Sequence, residues 1–153
     1  VPLIQESVGL PELIENQLSL DAQLLEQRGQ TLVSTLTPGV NTIGDPSLLG
    51  KAVGNLLSNA SLYSPEGAEV RVWCGYIEQR PALTVENTGA HIQDEALPHL
   101  FEAFYREDGS RSRSTGGSGL GLYIVRMILQ RHGAECTIEN TAGGVRATVV
   151  FSP

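Results

Sequence analysis

The chain has 153 residues, of which 41% are hydrophobic, and a formal net charge of −7. This length suits one domain with a buried core, whereas the acidic balance argues against general binding to nucleic acid or an anionic membrane. No apolar run is long enough to span a bilayer, and no signal peptide opens the sequence. Because the first residue is not methionine, we expect a fragment of a longer protein.

Cys74 and Cys136 lack any metal-binding spacing, which favours reduced structural thiols in a cytosolic setting.

The first half of the chain predicts two amphipathic helices with a strand between them. The first helix runs from Leu10 to Arg28 and ends at Gly29, and the strand covers residues 31–36. The second helix runs from Asp45 to Leu62, with Asp45 as its N-cap. The apolar face of the first helix is expected to consist of five leucines: Leu13, Leu18, Leu20, Leu24 and Leu25.

The second helix carries a polar stripe. Lys51, Asn55 and Asn59 follow one another at intervals of four residues, so they share one helical face. Asparagine is a mediocre helix former, and two of them one turn apart need a reason. One interpretation is a solvated face. The other is a pocket wall whose amide oxygens bind Mg²⁺ or polar groups of a ligand.

The second half of the chain contains strand patterns separated by loops. Strands are predicted at residues 70–76, 83–86, 134–139 and 145–151. A polar loop with Gly89 follows the second of these strands, and Phe101 and Phe104 are spaced to lie near one another on a helical turn. Residues 107–118 have almost no apolar side chains, which predicts a mobile loop. Together the elements predict an α+β fold, a two-layer sandwich of helices and an antiparallel or mixed sheet.

A glycine-rich segment leads directly into a third helix. The glycines are followed by an apolar pattern that ends at a helix stop signal, Gly133. The residues of this segment are Gly116, Gly117, Gly119 and Gly121, with Leu120, Ile124, Met127 and Ile128 as the apolar face. Free N–H groups at the start of such a helix form a ready phosphate site. The segment fails the P-loop and dinucleotide templates, so a flexible loop before a core helix remains an alternative.

Three arginines, Arg106, Arg111 and Arg113, lie just before the glycine-rich segment in a chain that is otherwise acidic. A solvated turn would account for them. A mobile set of phosphate clamps is the sharper interpretation, because arginine matches phosphate geometry well.

Four separated segments form an ordered set: Asn55–Ala60 with Tyr63-Ser64-Pro65 behind it, Val85–Ile92, Leu100–Arg106 and Gly117–Leu122. In this order they resemble the N, G1, F and G2 boxes of the ATP-binding catalytic domain of bacterial sensor histidine kinases. Gly143-Gly144 stands where that family has a final glycine pair. Any one box is a weak signal, but the ordered set is highly specific, and the resemblance spans roughly residues 3–152.

The resemblance implies the Bergerat fold, with a mixed, mostly antiparallel sheet covered on one face by helices. Residues 1–153 would form a single ATP-binding catalytic domain, with a lid over the ATP at about residues 105–118. The dimerisation, phosphoacceptor and sensor domains would lie outside this chain.

Carried over by position, the boxes imply residue roles. Asn59 would ligate Mg²⁺, Asn55 would face the phosphates, and Asn87 would read the adenine amino group. Gly89 would let the backbone approach the base. Arg106 and Arg111 would neutralise the γ-phosphate, and Phe101 and Phe104 would anchor the lid base. The remaining implied ATP contacts are Tyr63, His91, Ile92, Phe104, Gly117, Ser118, Gly119, Leu120, Gly121 and Leu122.

Three positions depart from the family pattern. Asn87 stands where aspartate is usual, His91 replaces the second glycine of the G1 box, and Leu62 occupies a place that is often basic. A neutral amide makes a weaker hydrogen bond than a carboxylate. We therefore predict a lower ATP affinity than in an aspartate-bearing relative.

The resemblance implies transfer of the ATP γ-phosphate to a histidine on a separate dimerisation domain, and then to an aspartate of a response regulator. Related ATPases carry a glutamate base where Asn55 stands, and an amide cannot take a proton from water, which favours a kinase over a hydrolase. His91 is interpreted as pocket wall and His99 as surface. His132 is interpreted as structural, at a helix end where a cation suits the helix dipole.

Two alternatives stay open. One is a degenerate nucleotide-binding module that gates protein contacts without phosphotransfer, and the other is an anti-sigma-type serine kinase of the same fold. We expect the chain to be the cytoplasmic part of a membrane-bound sensor, with no nucleic-acid partner and no direct membrane contact of its own.

Overall fold

The computed structural model describes residues 2–105 and 120–153. Within these residues, three helices form one layer of the molecule. The helices of this part are Leu10–Gln27 (α1), Pro46–Tyr63 (α2) and Gly121–Arg131 (α3), with a short 3₁₀ turn at Leu97–His99. The strands are Glu6–Gly9 (β1), Thr31–Leu36 (β2), Asn41–Gly44 (β3), Glu69–Ile77 (β4), Arg80–Thr88 (β5), Glu135–Asn140 (β6) and Gly144–Val150 (β7).

The second layer is a five-stranded mixed sheet with the order β2-β4-β5-β7-β6. Strand β2 runs parallel to β4, and the other neighbours are antiparallel. This confirms the predicted α+β sandwich with a mostly antiparallel sheet. A separate ribbon of β1 and β3 was not predicted, because two strands of four residues are too short to show a clear alternating pattern.

The hydrophobic core lies between the helices and one face of the sheet. Alternation along the central strands buries Val72, Val85 and Val149, and these pack in one cluster with Leu57 of α2 and Val125 of α3. The opposite face of the sheet is a polar groove lined by Glu86, Glu139 and Arg146 among others. The helices therefore cover one face, and a ligand pocket between the layers would lie on that side.

In two helices, one residue of the predicted apolar face is exposed. In α1, Leu20 is 68% exposed, whereas Ile14 is fully buried beside Leu18. In α3, Met127 is 43% exposed and its neighbour Val125 is fully buried. Leu20 and Met127 each follow a buried residue by two positions, which is about 200° around a helix, so they lie on the solvent side.

The ends of α2 are fixed by side chains. The Oδ1 atom of Asp45 accepts hydrogen bonds from the backbone N–H groups of Ser47 (3.0 Å) and Leu48 (3.2 Å), which confirms the predicted N-cap. At the other end, Arg28 donates from Nη2 to the Ser64 carbonyl at 2.7 Å, and Gln30 donates to the Ser61 carbonyl at 2.9 Å. This second cap was not predicted, because its donors come from the loop after α1.

Both cysteines are free thiols. Burial, with a smaller contribution from the charge of Glu12, raises the pKa of Cys74 to about 11, and burial raises the pKa of Cys136 to about 12. Both groups are therefore protonated at neutral pH and unreactive, in agreement with structural thiols.

In the part of the chain that the structure describes, no helix has the length and hydropathy needed to cross a membrane.

Candidate functional site

The asparagines of α2 lie at the junction with α3. Asn55 is half-buried and donates from Nδ2 to the backbone carbonyl of Gly121 at 3.3 Å. Lys51 and Asn59, one turn to either side, are exposed. The fold therefore brings the polar stripe of α2 to the first residue of the helix that follows the glycine-rich segment, although 66 positions separate Asn55 from Gly121.

The N-cap residue of α3 provides no side-chain cap. This residue is Leu120, whose apolar side chain makes no capping hydrogen bond to the first turn. Helices usually satisfy these N–H groups with a capping side chain or another acceptor, so the first turn at Gly121 and Leu122 suits an anion. Residues Arg106, Arg111, Arg113, Gly117, Ser118 and Gly119, and most of the expected lid, lie outside the described residues and stay predictions.

Asn87 lies at the end of β5, on the face of the sheet that the helices cover. It follows Leu83 and Val85 in the alternation and is only 4% exposed. Its Nδ2 atom has no hydrogen-bond partner among the described residues. A buried donor without a partner costs about 1–3 kcal/mol, so the position is unfavourable unless an acceptor enters from outside.

The loop after β5 is held in one shape. Gly89 has φ +79°, and a Cβ there would come within 2.9 Å of Cγ of Pro65, so both the backbone and the available space require glycine. Asn140 clamps buried Ile92 by accepting from its N–H at 2.8 Å and donating to its carbonyl at 2.7 Å. Asn140 was missed by sequence reasoning, because it ends a strand far along the chain and belongs to no box.

Tyr63 and His91 also meet at this loop. The Tyr63 hydroxyl, in the last residue of α2, donates to the His91 carbonyl at 3.4 Å, and the His91 side chain is exposed. Two predicted contact residues are therefore adjacent in space, while the role of each in binding stays a prediction.

The prediction that Phe101 and Phe104 lie near one another on a helical turn is wrong. Helical structure ends at His99, and Phe104 has φ +66° and is 70% exposed, whereas Phe101 is half-buried. A left-handed residue cannot continue a helical turn, so the two rings do not share a helical face. Tyr105 instead stacks on His99, with ring centroids 5.3 Å apart.

His132 is structural, as expected, but the expected cationic form is wrong. Its Nε2 atom accepts a hydrogen bond from the backbone N–H of Asp45 at 3.0 Å, and Nδ1 lies 2.8 Å from the Ile128 carbonyl. An acceptor nitrogen carries no proton, so the ring is neutral with its proton on Nδ1. His132 thus ties the end of α3 to the N-cap of α2.

Replacing His132 with alanine is expected to lower the free energy of unfolding by about 2 kcal/mol, because it leaves the N–H of buried Asp45 without an acceptor. Urea unfolding of the purified chain measures this. His99→Ala is the matched control, since His99 is exposed and its ring contacts Glu102 and Tyr105 at the surface. Equal stability of the two variants would contradict a tie between α2 and α3.

Comparison with known proteins gives one family. Residues 44–153 match the family described as histidine kinase-, DNA gyrase B- and HSP90-like ATPases. The sensor protein VanSB of Enterococcus faecalis is 42% identical over 142 residues, which cover 93% of this chain and 32% of VanSB. The phosphate regulon sensor protein PhoR of Pseudomonas aeruginosa is 39% identical over 135 residues, covering 87% of this chain and 30% of PhoR. The chain therefore spans about a third of these relatives.

Solved structures agree with this family. The mycobacterial sensor histidine kinase MprB superposes with a TM-score of 0.83 at 32% identity, covering 95% of this chain and 97% of that one. The catalytic domain of the histidine kinase ThkA, at 20% identity and a TM-score of 0.85, agrees in fold. The chain belongs to the family of histidine kinase-, DNA gyrase B- and HSP90-like ATPases, and the resemblance to sensor histidine kinase catalytic domains is confirmed.

Family membership implies ATP binding, and the described residues fit such a ligand. The uncapped start of α3 suits phosphates, and the unpaired amide of Asn87 suits a group with hydrogen-bonding edges. For a metal, the described residues hold no group of three or more histidine, cysteine or acidic side chains. A magnesium ion could use amide, water and phosphate oxygens here, because Mg²⁺ binds oxygen ligands and keeps several waters.

Proposed function

We propose that this chain binds Mg-ATP and transfers its γ-phosphate to a histidine on a separate dimerisation domain of the same protein. The phosphate then passes to an aspartate of a response regulator. The observation that carries the proposal is the contact between Asn55 of α2 and Gly121 at the uncapped start of α3. It supports a single phosphate site built from the N and G2 boxes, and relatives of this chain are named sensor histidine kinases.

Asn59 is the residue we assign to the metal. It is exposed on α2, one turn beyond Asn55, so its amide oxygen is free to reach a ligand without repacking the core. When bound, Mg²⁺ would offset the charge of the phosphates. Gly117, Ser118 and Gly119 complete the proposed cradle with backbone N–H groups, and Arg106 and Arg111 are the proposed γ-phosphate clamps.

The proposed role of Asn55 is to position the start of α3, not to activate a water molecule. Its Nδ2 donates to the Gly121 carbonyl, which holds the start of α3 against α2. An amide cannot accept a proton from water, so the site lacks a general base one turn before Asn59. This favours transfer to an incoming histidine over hydrolysis, because phosphoryl transfer mainly needs positioning and charge neutralisation.

We assign the adenine ring of ATP to the end of β5. Asn87 would pair with the edge of the ring, and Gly89 would allow the backbone to approach it. The wall of this part of the pocket would be lined by Tyr63, His91 and Ile92. The buried, unpaired Nδ2 of Asn87 supports this assignment, since it needs a partner that the described residues do not supply.

We assign the acceptor histidine to another domain. His132 has both ring nitrogens engaged, His99 pairs with Glu102 at the surface, and His91 is proposed as part of the pocket wall.

We propose residues 1–153 as one catalytic domain with a lid at about residues 105–118. It would work in the cytoplasm with its own dimerisation domain and a response regulator.

The test is a phosphotransfer assay with radiolabelled ATP. The chain is incubated with Mg-ATP alone and with the dimerisation domain of its parent protein. We expect label only on that domain, stable in alkali and lost in acid as for phosphohistidine. Acid-stable label would instead support a serine kinase, and nucleotide binding without any transfer would support a module that only gates protein contacts.

A further inference from the structure

Asn87 is the most deeply buried of the residues that keep an unpaired polar side-chain atom. Among the described residues, three buried side-chain atoms have no hydrogen-bond partner: Asp21 Oδ2, Asn87 Nδ2 and Arg126 Nε. Asp21 and Arg126 are half-buried residues, whereas Asn87 is 4% exposed. An unpaired donor this deep indicates that an acceptor is missing from the site.

Asn140 provides the internal comparison. It has the same side chain in the same part of the fold, but both ends of its amide are used on the backbone of Ile92. That pattern is what a structural asparagine looks like. Asn87 lacks it, so nothing among the described residues accounts for an amide at the end of β5 in place of an apolar side chain.

An amide differs from a carboxylate in what it can recognise. It presents a donor and an acceptor side by side, and a rotation of 180° exchanges them. A carboxylate offers acceptors only. A 6-amino purine presents a donor at position 6 beside the acceptor N1, and a 6-oxo purine presents the reverse pair, so an amide is complementary to both.

We infer that Asn87 is a specificity-determining residue that makes the base site permissive at position 6, so that 6-oxo purine triphosphates bind as well as ATP. The inference rests on the proposed function, because it needs a nucleotide whose base lies against the end of β5. The Nδ2 donor meets the 6-oxo group in one amide orientation. In the other orientation, Oδ1 accepts from the 6-amino group and Nδ2 donates to N1, so the buried donor is satisfied in both cases.

Inosine triphosphate is the sharp probe, because it differs from ATP only at position 6 and in the proton on N1. Calorimetric titration of Mg-ATP and Mg-ITP into the wild-type chain should give dissociation constants within about tenfold of each other. In Asn87→Asp, the carboxylate opposes the 6-oxo group, and the preference for ATP over ITP should rise by roughly 10–100-fold.

Asn140→Asp is the matched control. It removes the donor to the Ile92 carbonyl, so it should weaken both nucleotides alike and leave their ratio unchanged. A merely structural role for Asn87 predicts the same unchanged ratio for Asn87→Asp, and that result would overturn the inference.

If the carboxylate of the Asn87→Asp variant prevents folding, the wild-type titration alone still tests whether the site accepts 6-oxo purines. Wild-type binding of ATP with ITP weaker by 100-fold or more would overturn the inference and leave the proposed function standing. Binding of neither nucleotide would overturn both.

Discussion

Replacing Asn59 with alanine is expected to weaken Mg-ATP binding by on the order of 100-fold, because the change removes the proposed amide ligand of the metal. Since Asn59 is an exposed residue inside α2 and alanine is the better helix former, the fold should keep its full stability. Isothermal titration of Mg-ATP and Mg-ADP into the purified chain measures the affinities. The wild-type binding should also disappear when magnesium is chelated.

Asn16→Ala is the matched control for Asn59→Ala. Asn16 is also an exposed asparagine within a helix, but it belongs to α1 and to none of the proposed contacts. It should bind Mg-ATP as the wild type does. Equal affinity of the Asn59→Ala variant and this control would remove Asn59 from the metal site.

Replacing Gly144 with alanine is expected to lower the free energy of unfolding by about 3 kcal/mol. A Cβ at this position would overlap the backbone carbonyl oxygen of Asn87 on the neighbouring strand, and backbone cannot move aside as a flexible side chain can. Strand β7 would have to separate from the end of β5, where Thr88 pairs with Gly144. For a chain of this size, the melting temperature should fall by roughly 6–12 °C.

The control is one residue away. Gly143→Ala places its Cβ where no heavy atom lies within 4 Å, so its stability should change by less than about 0.5 kcal/mol. Thermal melting of both variants under the same conditions makes the comparison. A Gly144→Ala variant as stable as Gly143→Ala would show that the two strands do not pack as closely as described.

Local sequence signals predicted the elements whose causes are local. The N-cap of α2 follows from Asp45 and Pro46, which act within one turn, and the end of α1 follows from Gly29, which has φ +62°. The central strands follow from alternation over several residues. The observed strand β5, Arg80–Thr88, is longer than the predicted strand at residues 83–86. Its ends depend on pairing with β4 and β7, which the local sequence does not show.

The residues proposed for the site could be selected from the sequence, because the motifs consist of particular residue types in a fixed order. Asn55, Asn59, Asn87 and Gly89 were picked out from spacing, box order and the unusual use of asparagine in a helix. The structure adds that Asn55 contacts Gly121 and that the donor of Asn87 is buried without a partner. Neither fact could be read from the chain, since each depends on which segments pack together.

Local periodicity and an ordered set of motifs were enough to predict the fold class, the family and the residue types of the candidate site. The exposure of Leu20 and Met127, the neutral ring of His132 and the clamp of Asn140 on Ile92 became visible only in the folded chain. The cause is the same in each case. Burial and hydrogen-bond partners are set by contacts between residues far apart in the chain, such as Asp45 with His132, which are 87 positions apart.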